Sequence, residues 1–227
     1  LLSRAELSND DLLTLQTALS DAADRVSFHV CLSGEIATQQ DWFDRIQKGE
    51  DPDAFLVGAP PPNAAMKTLF WLMRGSGYVQ ANRKKCLRET LKLVEIAGNP
   101  TPETLSDAYW RDWTARVYSR RHILASMLLP SLGRSIAKAE RTRAELRAAA
   151  VCCAAMRYRN DTGKWPESIE ALVPAYLDKL PIDPFTGKSL IYAVGENGIM
   201  VYSVGSDQTD DGGRPSVSVT TADETPP

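Results

Sequence analysis

This chain holds only two histidines, His29 and His122, and no GxSxG, HExxH, GxGxxG or glycine-rich phosphate loop. The enzyme classes built on those patterns are excluded. Chemistry carried by carboxylates alone is not, because the 29 Asp and Glu residues are spread along the whole chain. None of the four cysteines, Cys31, Cys86, Cys152 and Cys153, forms a CxxC pair, which removes zinc and thioredoxin-like readings. Buried thiols are the default, and a Cys31–Cys86 bridge is left open. No apolar run approaches the roughly 18 residues that a membrane span needs. The longest, 123–132 and 148–156, are short and flanked by charge. No signal peptide is visible, and the chain opens on Leu1, not Met. It is read as a fragment or a processed product from which any export signal or anchor has been removed. A basic excess is lacking too: 26 Lys and Arg leave a net charge of −3, which argues against nucleic acid as a partner. Two local basic groups, Arg83, Lys84, Lys85 and Arg88, then Arg116, Arg120 and Arg121, read as solvated helix faces.

What is present is helical periodicity. Ser8 is placed to cap a helix whose first turn carries Asp10 and Asp11, and Leu12, Leu15, Leu19, Ala22 and Val26 mark one face. A second helix is expected over 36–47, then a loop with the run Pro60, Pro61 and Pro62. Leu69, Phe70 and Met73 form an apolar patch, and a helix follows over 79–97. Thr101 with Pro102 starts another, with Leu105, Tyr109, Trp113 and Val117 on its buried side. Pro130 and Gly133 are expected to end or kink it. A long helix then runs to about residue 160. Leu132, Ile136, Ala139, Leu146, Ala150, Cys153 and Met156 share a face there, and 148–156 is apolar nearly all round, so other elements should wrap it. A short helix through Val173 and a hairpin follow, with strands over 189–194 and 199–204 joined by Gly195-Glu196-Asn197-Gly198. Val217 and Val219 suggest an edge strand in a polar tail. The fold class is therefore mainly α: a helical domain over 1–133, an α+β module over 134–213 with a long helix and a small antiparallel sheet, and a tail over 214–227.

The segment 203–213 reads SVGSDQTDDGG, with Asp207, Asp210 and Asp211 crowded within five positions. Crowded carboxylates without a counter-charge repel. Asp207, Thr209, Asp211 and Gly212 partly match the start of a calcium loop, but Ser218 stands where an EF-hand needs glutamate. Spacing alone favours a solvated acidic turn over an oxygen-lined calcium loop.

Residues 136–213 resemble the soluble globular end of the major pseudopilin of type II secretion. The resemblance is carried by Leu180, Pro181, Asp183 and Pro184, then the hairpin, then Ser203, Gly205, Asp207, Gly212 and Gly213. Tyr158 and the stretch from Asp161 to Pro166 resemble the family's approach to its Tyr-Pro segment. The resemblance implies a calcium loop with Asp207, Asp210 and Asp211 as side-chain ligands and Ser203 as a contributor. It departs at Gln208, where the family carries glycine, and in the absence of the processing site and apolar first helix. It implies a non-enzymatic, extracytoplasmic bacterial envelope protein, periplasmic or membrane-anchored, related to secretion, with protein partners, no nucleic acid and no membrane span in this chain. Two other readings stand beside it: a helical-domain enzyme using carboxylates, and a cytoplasmic helical adaptor. Tyr109, Trp110 and Trp113 would line a ligand groove under the first of these, although core packing suits them better.

Overall fold

A computed structural model describes residues 7–50, 64–195 and 198–214. The expected proline loop, the hairpin residues Glu196 and Asn197, and the edge strand at Val217 and Val219 lie outside the described residues, as do the side chains of Leu69 and Phe70. The described residues are mainly helical, with one small antiparallel sheet.

Helix α1 (Asn9–Arg25) begins as its local sequence dictates. The Ser8 hydroxyl accepts from the Asp11 N–H, and the Asp11 carboxylate reaches back to the Ser8 backbone N–H. Its inner face buries Leu12, Gln16 and Ala23. Helices α2 (His29–Lys48), α3 (Ala64–Gly75) and α4 (Tyr78–Gly98) follow, and α2 starts seven residues before the expected position. Thr101 and Thr104 cap the short α5 (Pro102–Leu105) reciprocally.

Here the chain departs from the expected helix. The Ser106 hydroxyl accepts from the Tyr109 N–H and restarts the helix as α6 (Asp107–Val117). A side-chain cap immediately after Leu105 competes successfully with helix continuation. Helix α7 (Ile123–Thr162) then runs unbroken through Pro130 and Gly133, where an end or a kink was expected. An interior proline costs about 3 kcal/mol through its missing hydrogen bond and its ring clash. Packing offsets this, because Leu129 and Pro130 are buried and Gly133 lies under the indoles of Trp110 and Trp113. A Cβ at Gly133 would stand 2.8 Å from Trp110 Cζ3 and 3.1 Å from Trp113 Cζ3.

One apolar cluster joins α2, α4, α6 and the first half of α7, with Phe43, Leu93, Trp110, Trp113 and Leu129 among its members. Phe185, from the connector beyond α7, is buried in the same cluster, and Val204 packs on it. The second half of α7 is covered as its all-round apolarity requires. Helix α1 lies antiparallel along it: Asn9 meets Asp161 at 2.7 Å, Gln16 meets Arg157 at 3.1 Å, and the end of α1 meets Arg143. On another side Val151, Ala154 and Ala155 pack with a 3-10 helix (Ile169–Leu172) and with Tyr192, Ile199 and Val201 of the hairpin. Strands β1 (Ile191–Gly195) and β2 (Gly198–Tyr202) pair from Ile191 with Tyr202 to Gly195 with Gly198, so two residues link them. The stretches 1–133 and 134–213 thus share α7 and part of a core.

Two polar devices fix α7 to its neighbours. Asn82 of α4 is fully buried and its Oδ1 accepts from the Ala125 N–H at 3.1 Å, while the Tyr78 hydroxyl accepts from the Ile123 N–H at 2.9 Å. Two of the first three N–H groups of α7 are therefore satisfied by another helix. Farther along, Arg143 donates to the Ala23 and Val26 carbonyls at the α1 C-terminus, a favourable place for a cation. Glu140 is 4% exposed and takes two hydrogen bonds from Arg143, 2.8 and 2.6 Å. Burial pushes the Glu140 carboxyl above its ordinary value, against the pull of Arg143 and Arg147.

Candidate functional site: the acidic loop and its buried carboxylate

Asp183 organises the region that the sequence singled out. It is 1% exposed, inside the rigid connector between two prolines. Its Oδ1 accepts from the Phe185 N–H at 2.9 Å and from the Ser203 hydroxyl at 2.9 Å, and its Oδ2 accepts from the Val204 N–H at 3.1 Å. Its backbone carbonyl receives the Thr186 and Gly187 N–H groups, and its own N–H goes to the Lys188 carbonyl at 2.7 Å. A buried carboxylate is tolerable only with such donors, and these tie the connector to the exit of β2.

Beyond this knot the loop docks on the helices. The Ser206 carbonyl accepts from the Asp107 N–H, the first of α6, at 2.8 Å. The Gln208 side-chain amide donates to the Pro102 carbonyl at 2.7 Å and to the Phe185 carbonyl at 2.8 Å. Gln208 has φ +58°, a left-handed conformation that glycine adopts without penalty. The position where this chain departs from the pseudopilin pattern is therefore held by its side chain, which a glycine lacks.

Asp207, Asp210 and Asp211 are exposed. Asp207 Oδ1 accepts from the Thr209 N–H at 3.2 Å. Asp210 Oδ1 accepts from the Tyr202 hydroxyl at 2.9 Å and the Gly212 N–H at 3.0 Å. That bond and the nearby Asp210 and Asp211 charges raise the Tyr202 pKa. Asp211 has no hydrogen bond among the described residues. The donors are oxygens throughout, which suits a hard cation, and Asp207 and Asp210 each keep Oδ2 outside these bonds. Ser203 is turned inward: its hydroxyl donates to Asp183 and accepts from the Gly205 N–H at 3.1 Å. Among the described residues no three His, Cys, Asp or Glu side chains are grouped so as to hold a metal ion. The three carboxylates thus share a loop without being drawn together.

The other candidates are structural. Trp110 and Trp113 are 8% and 3% exposed, packed edge to face with centroids 5.7 Å apart, and they belong to the core. All four cysteines are free, with Cys31 exposed and Cys86 buried. Burial pushes the Cys86 thiol up to about 12 and the Cys152 thiol up to about 11, so both are protonated at neutral pH. No helix among the described residues is long and apolar enough to cross a membrane. Sequence reasoning quoted Asp183 as part of a motif but gave it no role; its place between two prolines, ahead of a hairpin, was the available signal. Nothing local pointed to the docking bonds of Gln208.

Set against known proteins, the chain matches no family model, no curated protein and no solved structure.

Proposed function

We propose that this chain is a non-enzymatic envelope protein of bacteria in which a pseudopilin-like, calcium-stabilised loop is carried on a helical scaffold. The observation that supports the reading is the buried Asp183 knot, which joins the two segments that bear the resemblance and leaves the acidic side of the loop facing solvent. A cation there would be held by Asp207, Asp210 and Asp211 together with backbone carbonyls, and Ser203 would act indirectly by bracing the loop through Asp183. The ion would supply charge neutralisation, and nothing in its role is chemical. It would offset the repulsion of neighbouring carboxylates, and by binding only the folded chain it would raise stability through mass action. Magnesium suits the site less well, because a loop of carboxylates and carbonyls matches the larger, irregular shell of calcium.

In calcium, Asp207→Ala and Asp211→Ala should melt below the wild type, and in chelator they should melt with it. Calorimetry that finds no binding at millimolar calcium, with identical melting in calcium and chelator, would remove the calcium claim. Fractionation of cells expressing the full-length gene product tests location separately. Recovery in the cytosol would favour the adaptor reading instead.

A further inference from the structure

The turn from α6 into α7 combines exposed apolar side chains with a group of cations. Tyr118, Ile123 and Met127 are 61%, 46% and 60% exposed. Ile123 and Met127 lie one turn apart and so share a face of α7. The corner is firmly built. The Ser126 hydroxyl shares its one hydrogen between the Val117 and His122 carbonyls and accepts from the Ser119 N–H at 3.0 Å, and the His122 N–H closes the turn onto the Ser119 carbonyl at 3.0 Å.

Four cations surround these side chains. Arg120 and Arg121 project from the turn, Arg116 is exposed on the last turn of α6, and Lys85 of α4 donates to the Arg116 carbonyl at 3.3 Å. None of the four forms an ion pair among the described residues. Lys85 and Arg121 act together on His122, whose pKa is lowered first by burial and then by their charges. Residues 116–127 hold three arginines and no carboxylate, a local excess of positive charge in a chain that is negative as a whole.

We infer that this corner docks on an anionic lipid surface. Tyr118, Ile123 and Met127 enter the headgroup boundary, and Arg116, Arg120, Arg121 and Lys85 neutralise lipid phosphates. The contact is peripheral and reversible, with the more negative remainder of the chain held away from the surface. A nucleic acid would use the cations but has no place for exposed Ile and Met, whereas a lipid interface takes both. The inference stands apart from the calcium loop, which lies on different elements.

The test is co-sedimentation of the whole chain, at low ionic strength, with vesicles of phosphatidylcholine alone or mixed with phosphatidylglycerol. Binding is expected only to the mixed vesicles and should fall as salt is added. Removing two cations in Arg120→Gln/Arg121→Gln should weaken it roughly thirtyfold. The independent pair Ile123→Gln/Met127→Gln should weaken it as well, and both pairs change exposed positions and should melt like the wild type. Two results would overturn the inference: no sedimentation with mixed vesicles, or wild-type binding by the Ile123 and Met127 pair.

Discussion

Replacing Asp183 with asparagine keeps the size of the side chain and removes its charge. In the wild type three donors converge on the carboxylate, two on Oδ1 and one on Oδ2. An asparagine oxygen would still serve Phe185 N–H and the Ser203 hydroxyl, but as a neutral acceptor. Its NH2 would then face the Val204 N–H, donor against donor, with no water to intervene at a position 1% exposed. Hydrogen bonds to charged groups contribute about 1.5–3 kcal/mol each, and an unsatisfied buried donor costs about 1–3 kcal/mol. The losses are not additive, because the three bonds share one carboxylate. A net loss of about 2–4 kcal/mol follows from these terms, a large part of the roughly 5–15 kcal/mol that holds a domain folded. For a chain of this length that lowers Tm by about 4–16 °C. Urea denaturation of the wild type and of Asp183→Asn measures it directly, with exposed Asp178→Asn as the control expected to stay within about 0.5 kcal/mol. A loss at Asp183 no larger than at Asp178 would refute the claim that this carboxylate joins the connector to the loop.

Three further outcomes follow from the packing. Asn82→Leu should cost about 1–3 kcal/mol in urea denaturation by orphaning the buried Ala125 N–H, and Tyr78→Phe less than half as much, since Ile123 is exposed and water can replace the lost acceptor. Equal costs would contradict the cap supplied by α4. Gln208→Ala should be less stable than Gln208→Gly by about 1 kcal/mol, because both lose the docking bonds while only alanine keeps the left-handed penalty; the reverse order would mean the backbone there is not held as described. His122 is lowered in the folded chain from its ordinary 6.5, so the folded state binds the proton less readily than the unfolded one. Its contribution is present above the unfolded value and is lost as pH falls from there through the folded value. Stability measured across that window should therefore decline in the wild type relative to His122→Gln, and parallel curves would count against it.

Several elements could be read from the sequence because their causes are local. The start of α1 rests on Ser8 and Asp11, three residues apart, and that of α5 on Thr101 and Pro102. The hairpin follows from alternation on either side of a two-residue link. The apolarity of 148–156 already required partners on several sides, and α1, the 3-10 helix and the hairpin supply them. The acidic loop was equally visible as a cluster of carboxylates, though not how those side chains are spent.

What the tertiary structure decided joins residues far apart in the chain. Pro130 argues locally for a helix end, and only the burial of its neighbours against α6 lets α7 continue. The α1 helix has an apolar face but no mark of its target, which Gln16, Arg143 and Arg157 identify only once folded. Asn82 and Ala125 are 43 residues apart, and Gln208 and Pro102 are 106 apart. A polar side chain in a sequence shows what it is able to bond, within the reach of a turn or a cap. Which distant backbone group it meets in a dry interior is set by how the helices pack, and that depends on the whole chain.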